Sequence, residues 1–183
     1  MNVNEVLFDN KMLINKLENC AKEIELKYPD EVFNIVIVGG AALMLINDTK
    51  TTNDIDVISV SNDKIWPILR HHSMNGRVTA YLDSYSSDME DRYIHLNNIK
   101  NKNVNYFVCS LEDIVAAKLG AGREKDFKDI QNNHVYNAID FDLLDKIIYQ
   151  ELCIDYFSET RYKTLLRTYE KYKNKELWQN ENH

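Results

Sequence analysis

Two aspartates separated by one residue, Asp54 and Asp56, open the apolar run DIDVISV. Residues two apart in a β-strand point to the same face, so these carboxylates would project side by side. Like charges this close repel each other unless a cation relieves the repulsion. Mg²⁺ prefers oxygen ligands and is typically held by one or two carboxylates together with substrate phosphates. The pair indicates a divalent-cation site, and a strand end whose aspartates simply face water is the alternative.

A glycine pair, Gly39 and Gly40, follows the apolar run FNIVIV and precedes AALMLIN, with residues 41–53 between it and Asp54. A strand-to-helix turn made of glycine lets the backbone approach a ligand closely, and the amides that begin the helix suit a phosphate. A tight turn without a ligand would have the same sequence. Together with the aspartates, however, the pair predicts that one element holds a triphosphate and the next holds its metal.

The order of these features resembles the nucleotidyltransferase superfamily related to DNA polymerase β. The resemblance implies that Asp54 and Asp56 bind Mg²⁺ or Mn²⁺, that the glycine turn contacts the phosphates of an NTP, and that a third carboxylate completes a two-metal site. Asp83, which ends RVTAYLD, is our choice for that third metal ligand and catalytic group, and Asp88 in SYSSDMED is the competitor. Ala41 replaces the hydroxyl residue that many relatives have after the glycines, and Thr52 could supply a hydroxyl to the nucleotide.

A second stretch, LEDIVAAKLGAGREKDFKDI (residues 111–130), is similar to the later motif of the AbiEii-type branch, a group of bacterial toxin-like nucleotidyltransferases. The similarity implies a nucleotide site that includes Lys118, Arg123, Lys125, Asp126 and Asp129. Lys118 would also offset the charge that develops during catalysis, with the two aspartates positioning Lys118 and Arg123. Read from the residues alone, the alternating charges also fit a solvated helix face, on which Lys125 and Asp129 are an i,i+4 pair and Lys118 is a surface lysine.

The chain has 183 residues and a formal net charge of −7, which is unfavourable for general nucleic-acid binding because phosphate contacts dominate such affinity. Residues 161–175 differ, with six basic residues and one acidic residue. Within them a basic stripe recurs every four residues: Lys163, Arg167, Lys171 and Lys175. The stripe predicts a phosphate-binding surface for an RNA acceptor, and a solvated helix face is the alternative.

We expect a metal-dependent enzyme that moves a nucleoside monophosphate from an NTP to an acceptor, with RNA such as a tRNA end favoured by the basic stripe. The AbiEii-type resemblance implies a bacterial toxin of a toxin–antitoxin pair, and therefore a cognate antitoxin protein as partner. Two alternatives stay open. One is transfer to a small molecule such as an antibiotic or to a protein hydroxyl, and the other is a non-catalytic nucleotide-binding module of the same fold.

Apolar periodicity predicts a sheet of four or five strands in the first two-thirds of the chain and helices after it, which is an α+β or mixed α/β fold. The family resemblance implies the α+β class, with a nucleotidyltransferase-type mixed sheet flanked by helices. A helix is expected over residues 5–28 and another over 62–73, strands over 33–38, 54–60, 77–82, 92–96 and 104–109, and helices thereafter. We expect a core at residues 1–135, including the N-terminal helix, and a helical C-terminal region at 136–183 packed on it. No apolar run is long enough to span a membrane and no signal pattern opens the chain, so we expect a cytoplasmic protein without a membrane partner.

Cysteine and histidine spacing predicts no further metal site. Cys20, Cys109 and Cys153 are far apart and odd in number, which fits neither a disulfide framework nor a zinc cluster. His71 and His72 are expected at the end of a helix, and no other histidine or cysteine lies at a ligand spacing from them.

Overall fold

The computed structural model of the protein describes residues 9–48, 52, 54–77, 85–152 and 158–177. The chain divides into two compact units, the first comprising residues 1–80 and 92–109 and the second comprising 81–91 and 110–183. The boundary that we predicted at residues 135 and 136 falls within the second unit. Compactness alone does not decide where a family's domain ends, so that boundary stays a prediction.

The first unit is built on a mixed five-stranded sheet. Its strands are β1 (Phe33–Val38), β2 (Ile55–Val60), β3 (Met74–Asn75), β4 (Ile94–His95) and β5 (Val104–Val108). They lie in the order β3-β2-β1-β5-β4. β1 is antiparallel to β2 and parallel to β5, while β2 is parallel to β3 and β4 is antiparallel to β5. The predicted α+β class and the mixed sheet of four to five strands are confirmed.

Three helices accompany this sheet. α1 (Asn10–Lys27) begins after Asp9, whose carboxylate accepts a hydrogen bond from the Met12 amide at 2.7 Å. Its buried residues recur at the helical spacing that the sequence predicted: Leu13, Leu17, Cys20, Ala21 and Ile24. The Tyr106 hydroxyl on β5 donates to the Leu17 carbonyl oxygen at 2.9 Å, which ties α1 to the sheet. α2 (Gly39–Asn47) follows β1, and α3 (Trp66–His71) follows a 3₁₀ turn (Asp63–Ile65).

Two strand predictions differ from the structure. The strand expected over residues 92–96 is only the two-residue β4, and the sequence analysis missed β3, which is too short to show an alternating pattern. The strand expected over residues 77–82 lies outside the described residues, apart from Arg77.

The second unit is helical. It contains α4 (Leu111–Ala121), α5 (Glu124–Ile130), α6 (Asn133–Ala138), α7 (Phe141–Lys146), a π-helical turn (Ile147–Glu151) and α8 (Glu159–Lys173). Ser110 caps the start of α4, because its hydroxyl accepts from the Asp113 amide at 3.1 Å and donates to the Asp113 carboxylate at 2.7 Å. α8 buries Leu165, Tyr169 and Tyr172 and packs against α4. No helix in the described part of the chain is long and apolar enough to cross a membrane.

Candidate functional site

The glycine turn and the second aspartate are neighbours in the first unit. The antiparallel register of β1 and β2 pairs Val38 with Asp56. Gly39 follows directly, at a φ of +64°, and a β-carbon placed on it would lie 3.1 Å from Asp56 Oδ2. An L side chain at this position would be strained and would crowd the carboxylate, so the geometry requires glycine. We call this junction of Gly39, Gly40, Asp54 and Asp56 the glycine–aspartate corner.

Strand alternation orients the two aspartates of the corner. Ile55 and Val57 are fully buried, whereas Asp54, directly before β2, and Asp56 are half-buried. Both carboxylates therefore lie on the less buried face of the strand. The buried Thr52 donates its hydroxyl to the Asp54 carbonyl oxygen at 3.0 Å, so the contact that it makes holds the backbone before β2. A role for Thr52 in binding a nucleotide stays a prediction.

The corner also contains the start of α2. The helix begins at Gly39, and its N-cap residue is Val38, whose apolar side chain makes no capping hydrogen bond. The first amides of a helix have no partner within the helix and carry partial positive charge, so they suit a phosphate. Ala41 is buried, so the residue that replaces the family's hydroxyl lies in the core. The backbone amides at Gly39 and Gly40 are therefore the phosphate donors that this turn offers.

An open cleft of about 570 Å³ lies beside Asp54. Its lining includes an aromatic ring and two arginines, from α3 and from the chain around β3: Trp66, Arg70, Ser73, Asn75 and Arg77. Asn75 is paired in register with Asp56, which joins the cleft to the strand that carries the aspartates. Guanidinium groups bind phosphates and an aromatic ring stacks on a base, so this lining suits a nucleotide. β3 is too short to have a pattern of its own, so the sequence did not predict these residues.

The donor atoms of the corner fit Mg²⁺. Both aspartates offer hard carboxylate oxygens, which this ion prefers, and Asp54 lines the cleft where a substrate could reach the same ion. No ion pair joins Asp54 to another described residue, although Arg70 and Arg77 line the same cleft. The third carboxylate is unassigned, because Asp83 lies outside the described residues and β5, the other neighbour of β1, carries no acidic residue.

Asp88, the competing choice for the third carboxylate, lies in the second unit. It is exposed, and its carboxylate accepts a hydrogen bond from the Ser87 hydroxyl at 2.8 Å. Its amide donates to the Ser86 hydroxyl oxygen at 3.0 Å, as in a local turn. These contacts are ordinary loop chemistry, and a metal role for Asp88 stays a prediction.

Four charged residues of the later motif form an ion cluster in the second unit, centred on the buried Lys118 and Asp126. The Lys118 Nζ lies 2.6 Å from Asp129 Oδ2 and 3.3 Å from Asp126 Oδ1, with only 9% of the lysine side chain exposed. Arg123 donates to Asp126 Oδ2 through Nε at 2.5 Å and to Oδ1 through Nη2 at 3.1 Å. These contacts join α4 to α5 across Gly122, which ends α4 at a φ of +65°. We call these four residues the lysine–aspartate cluster.

Electrostatics within the cluster favour charged carboxylates. Burial alone would raise the pKa of Asp126, but the Arg123 hydrogen bond and the Lys118 charge outweigh it and hold that pKa below its ordinary value of 3.8. The cluster thus contains carboxylates that balance the Lys118 charge. Lys125 is exposed on α5 and forms no ion pair with Asp129, whose carboxylate accepts a hydrogen bond from the Lys118 ammonium instead. The nucleotide-site roles of these residues stay predictions.

The basic stripe is shorter than predicted. Lys163, Arg167 and Lys171 are exposed on α8, and Lys163 pairs with Glu159 one turn earlier at 2.5 Å. Lys175 lies beyond the end of α8 at a φ of +57°, with its ammonium 4.3 Å from the centroid of the Tyr136 ring. The helix therefore presents three cations of the predicted four to solvent.

One comparison with known proteins gave a match. Residues 15–177 match the model of a family described as "Nucleotidyltransferase of unknown function (DUF6036)". No curated protein and no solved structure matched the chain. The family match supports the superfamily that the glycine and aspartate motifs predicted, and it does not confirm the AbiEii-type branch.

Proposed function

Because the chain belongs to the family described as nucleotidyltransferases of unknown function, we propose that it moves a nucleoside monophosphate from an NTP to an acceptor hydroxyl, with Mg²⁺ or Mn²⁺ as cofactor. One observation carries the proposal. The Asp56 carboxylate lies against the Gly39 turn, while Asp54 on the same face lines an open cleft. Carboxylates, the first amides of a helix and arginines thus belong to adjoining segments of the first unit.

In the proposed reaction, the chain's own groups bind and orient the nucleotide. The amides of Gly39 and Gly40 would hold phosphate oxygens, and Arg70 and Arg77 would neutralise further phosphate charge. Asp54 and Asp56 would hold the metal, which when bound offsets negative charge on the leaving pyrophosphate and makes the acceptor hydroxyl more acidic. The acceptor oxygen bonds to the α-phosphorus, the bond to the bridging β-phosphate oxygen breaks, and pyrophosphate leaves.

A third carboxylate would complete the site. We propose Asp83, with Asp88 as the alternative, either as a further metal ligand or as the group that receives the acceptor's proton. A variant at each position separates them, since only one of Asp83→Asn and Asp88→Asn should lower the rate of transfer by more than about tenfold.

RNA is the acceptor that we propose. The three exposed cations of α8 recur every four residues, which suits the repeating phosphates of a nucleic-acid strand despite the acidic balance of the chain. By the AbiEii-type resemblance, we further propose that the enzyme is a toxin with a cognate antitoxin. Expression of the wild-type chain should then stop bacterial growth, and expression of Asp54→Asn should not.

The experiment that tests the proposed function uses each of the four NTPs, labelled at the α-phosphate, with separate pools of RNA, protein and small metabolites. We expect label on one pool, dependent on Mg²⁺ or Mn²⁺ and abolished in Asp54→Asn. Label on RNA supports RNA as the acceptor. Label on protein or on a small molecule would instead identify that class of molecule as the acceptor. Absence of label from every pool with every NTP would overturn the enzymatic proposal.

A charge-matched pair of variants tests the RNA surface. Arg167→Glu with Lys171→Glu should lower RNA labelling by at least about tenfold, since each lost phosphate contact weakens binding. Lys11→Glu with Lys22→Glu, two exposed positions on α1, changes net charge by the same amount and should leave labelling unchanged. Equal losses in both double variants would show a general charge effect and remove α8 from the proposal.

A further inference from the structure

Two histidines and a glutamate meet at the end of α3 in the first unit. His72 Nε2 lies 2.8 Å from Glu23 Oε2, and His71 Nδ1 lies 3.4 Å from the same oxygen. One possible ligand atom from each of the three residues lies within 4.8 Å of the other two. Glu23 belongs to α1, 49 residues before His72, so local spacing in the sequence gave no sign of this third ligand.

The chemistry of this group differs from that of the aspartates. Two imidazole nitrogens with one carboxylate oxygen are a ligand set of Zn²⁺, whereas Mg²⁺ prefers oxygen alone. An ion about 2.0–2.2 Å from each of its ligands holds them roughly 3.3–3.5 Å apart in tetrahedral geometry. The observed separations of 2.8 and 3.4 Å from Glu23 are close to this, so small side-chain rotations would accommodate the ion.

We propose that Glu23, His71 and His72 form a Zn²⁺ site, with water at the remaining position. Access is open, because the His71 side chain is 75% exposed and the Glu23 side chain 42% exposed. The His72 side chain is only 15% exposed, so one ligand is already fixed by packing. The site uses none of the residues proposed to bind the nucleotide.

The position of this ion suggests what it does. It would join α1 to the end of α3, and the next residue in the chain, Ser73, enters the lining of the Asp54 cleft. Ser73 is at a φ of +66°, its carbonyl accepts from the Ile55 amide at 3.0 Å, and its hydroxyl accepts from Lys16 Nζ at 3.2 Å. Zn²⁺ would therefore stabilise the segment that connects α3 to the strand bearing the aspartates.

The test adds Zn²⁺ to the metal-free, untagged full chain. Calorimetry measures the affinity and the number of sites, and thermal unfolding measures Tm with and without the ion. We expect one site, a rise in Tm with Zn²⁺, and at least about tenfold weaker binding in His71→Asn, Glu23→Gln and His72→Asn. Because the His71 side chain is mostly exposed, His71→Asn should unfold at the wild-type temperature without metal. That result separates loss of a ligand from loss of the fold.

Matched controls locate the ion. His134→Asn changes an exposed histidine in the second unit, and Asp56→Asn removes an oxygen ligand from the corner; both should keep the Zn²⁺ site. Co²⁺ bound in place of Zn²⁺ should give the visible absorption of a tetrahedral site, and this absorption should disappear in His71→Asn. Failure of the wild-type chain to bind Zn²⁺, equal binding by His71→Asn, or loss of the site in Asp56→Asn alone would overturn the proposal.

Discussion

The glycine–aspartate corner and the lysine–aspartate cluster each contain two carboxylates, but their surroundings differ. In the cluster, Asp126 is buried and Lys118 and Arg123 balance its charge at hydrogen-bonding distance. In the corner, Asp54 is half-buried, lines a cleft and forms no ion pair with a described residue. The cluster is satisfied within the protein, whereas Asp54 in the corner still has charge to offer a cation. We therefore expect substitutions in the corner to change activity and substitutions in the cluster to change stability.

The largest effect is expected for Asp56→Asn in the corner. Removal of a metal-binding carboxylate should lower kcat for nucleotide transfer at least about 10³-fold, or about 4 kcal/mol of transition-state stabilisation. The free energy of unfolding should change by less than about 1 kcal/mol, because Asp56 is only half-buried. Labelled-NTP kinetics and urea unfolding measure the two quantities. Asp30→Asn, an exposed aspartate in the same unit, is the control, and retention of activity within tenfold in Asp56→Asn would refute its role.

Lys118→Met should have the next largest effect, and we expect that effect on the free energy of unfolding rather than on activity. The substitution leaves the buried Asp126 and the half-buried Asp129 without their shared cation, which costs about 3 kcal/mol of unfolding free energy. KM for the NTP, measured on the folded fraction, should change less than about threefold, since the lysine charge is balanced inside the protein. Lys125→Met, on the exposed side of α5, should change stability by less than about 0.5 kcal/mol. A tenfold rise in KM with an unchanged free energy of unfolding would instead show that the Lys118 ammonium binds the phosphates of the NTP.

Gly39→Ala tests the close approach within the corner. The positive φ and the 3.1 Å separation from Asp56 Oδ2 predict a loss of about 1–2 kcal/mol in unfolding stability, measured by urea unfolding. Gly40→Ala is the matched control. Gly40 has no positive φ and lies inside α2, where alanine is favoured, so its substitution should be neutral or slightly stabilising. Equal effects of the two substitutions would show that the corner imposes no special constraint at Gly39.

The smallest expected effect is a pH dependence of the lysine–aspartate cluster's contribution to the free energy of unfolding. The folded-state pKa of Asp126 is depressed. The contribution of this carboxylate to the free energy of unfolding is therefore present above its ordinary pKa of 3.8, and it is lost as pH falls through the folded-state pKa. The difference in unfolding free energy between the wild type and Asp126→Asn should therefore narrow below pH 3.8. Urea unfolding of both proteins from about pH 6 down to about pH 3 measures this difference. A difference that stays constant over that range would contradict the ionised cluster.

Helices and strands with strong apolar periodicity were predictable from the sequence. Elements that form only through contacts between distant parts of the chain were not. The spacing of Leu13, Leu17 and Ile24 identified α1, and the apolar run FNIVIV identified β1. β3 has two residues and no periodicity, so neither the strand nor the cleft that it borders was predictable.

The same distinction holds within the candidate sites. The order of glycines and aspartates predicted that they belong together, but only the register of β1 and β2 places Asp56 against Gly39. Spacing brought Lys118 near Asp126 and Asp129, yet the burial of that lysine depends on how α4 packs within the second unit. Glu23 approaches His71 and His72 only because α1 packs beside α3, a contact that single-sequence patterns do not encode.

Coupling between metal and nucleotide binding tests the central claim most directly. Calorimetry would measure the affinity of the wild type and of Asp54→Asn for a non-hydrolysable NTP, with and without Mg²⁺. We predict that Mg²⁺ raises the wild-type affinity at least about tenfold, or about 1.4 kcal/mol, and that Asp54→Asn removes this gain. The same gain in both proteins, or no gain in the wild type, would contradict the assignment of the glycine–aspartate corner as the metal–nucleotide site.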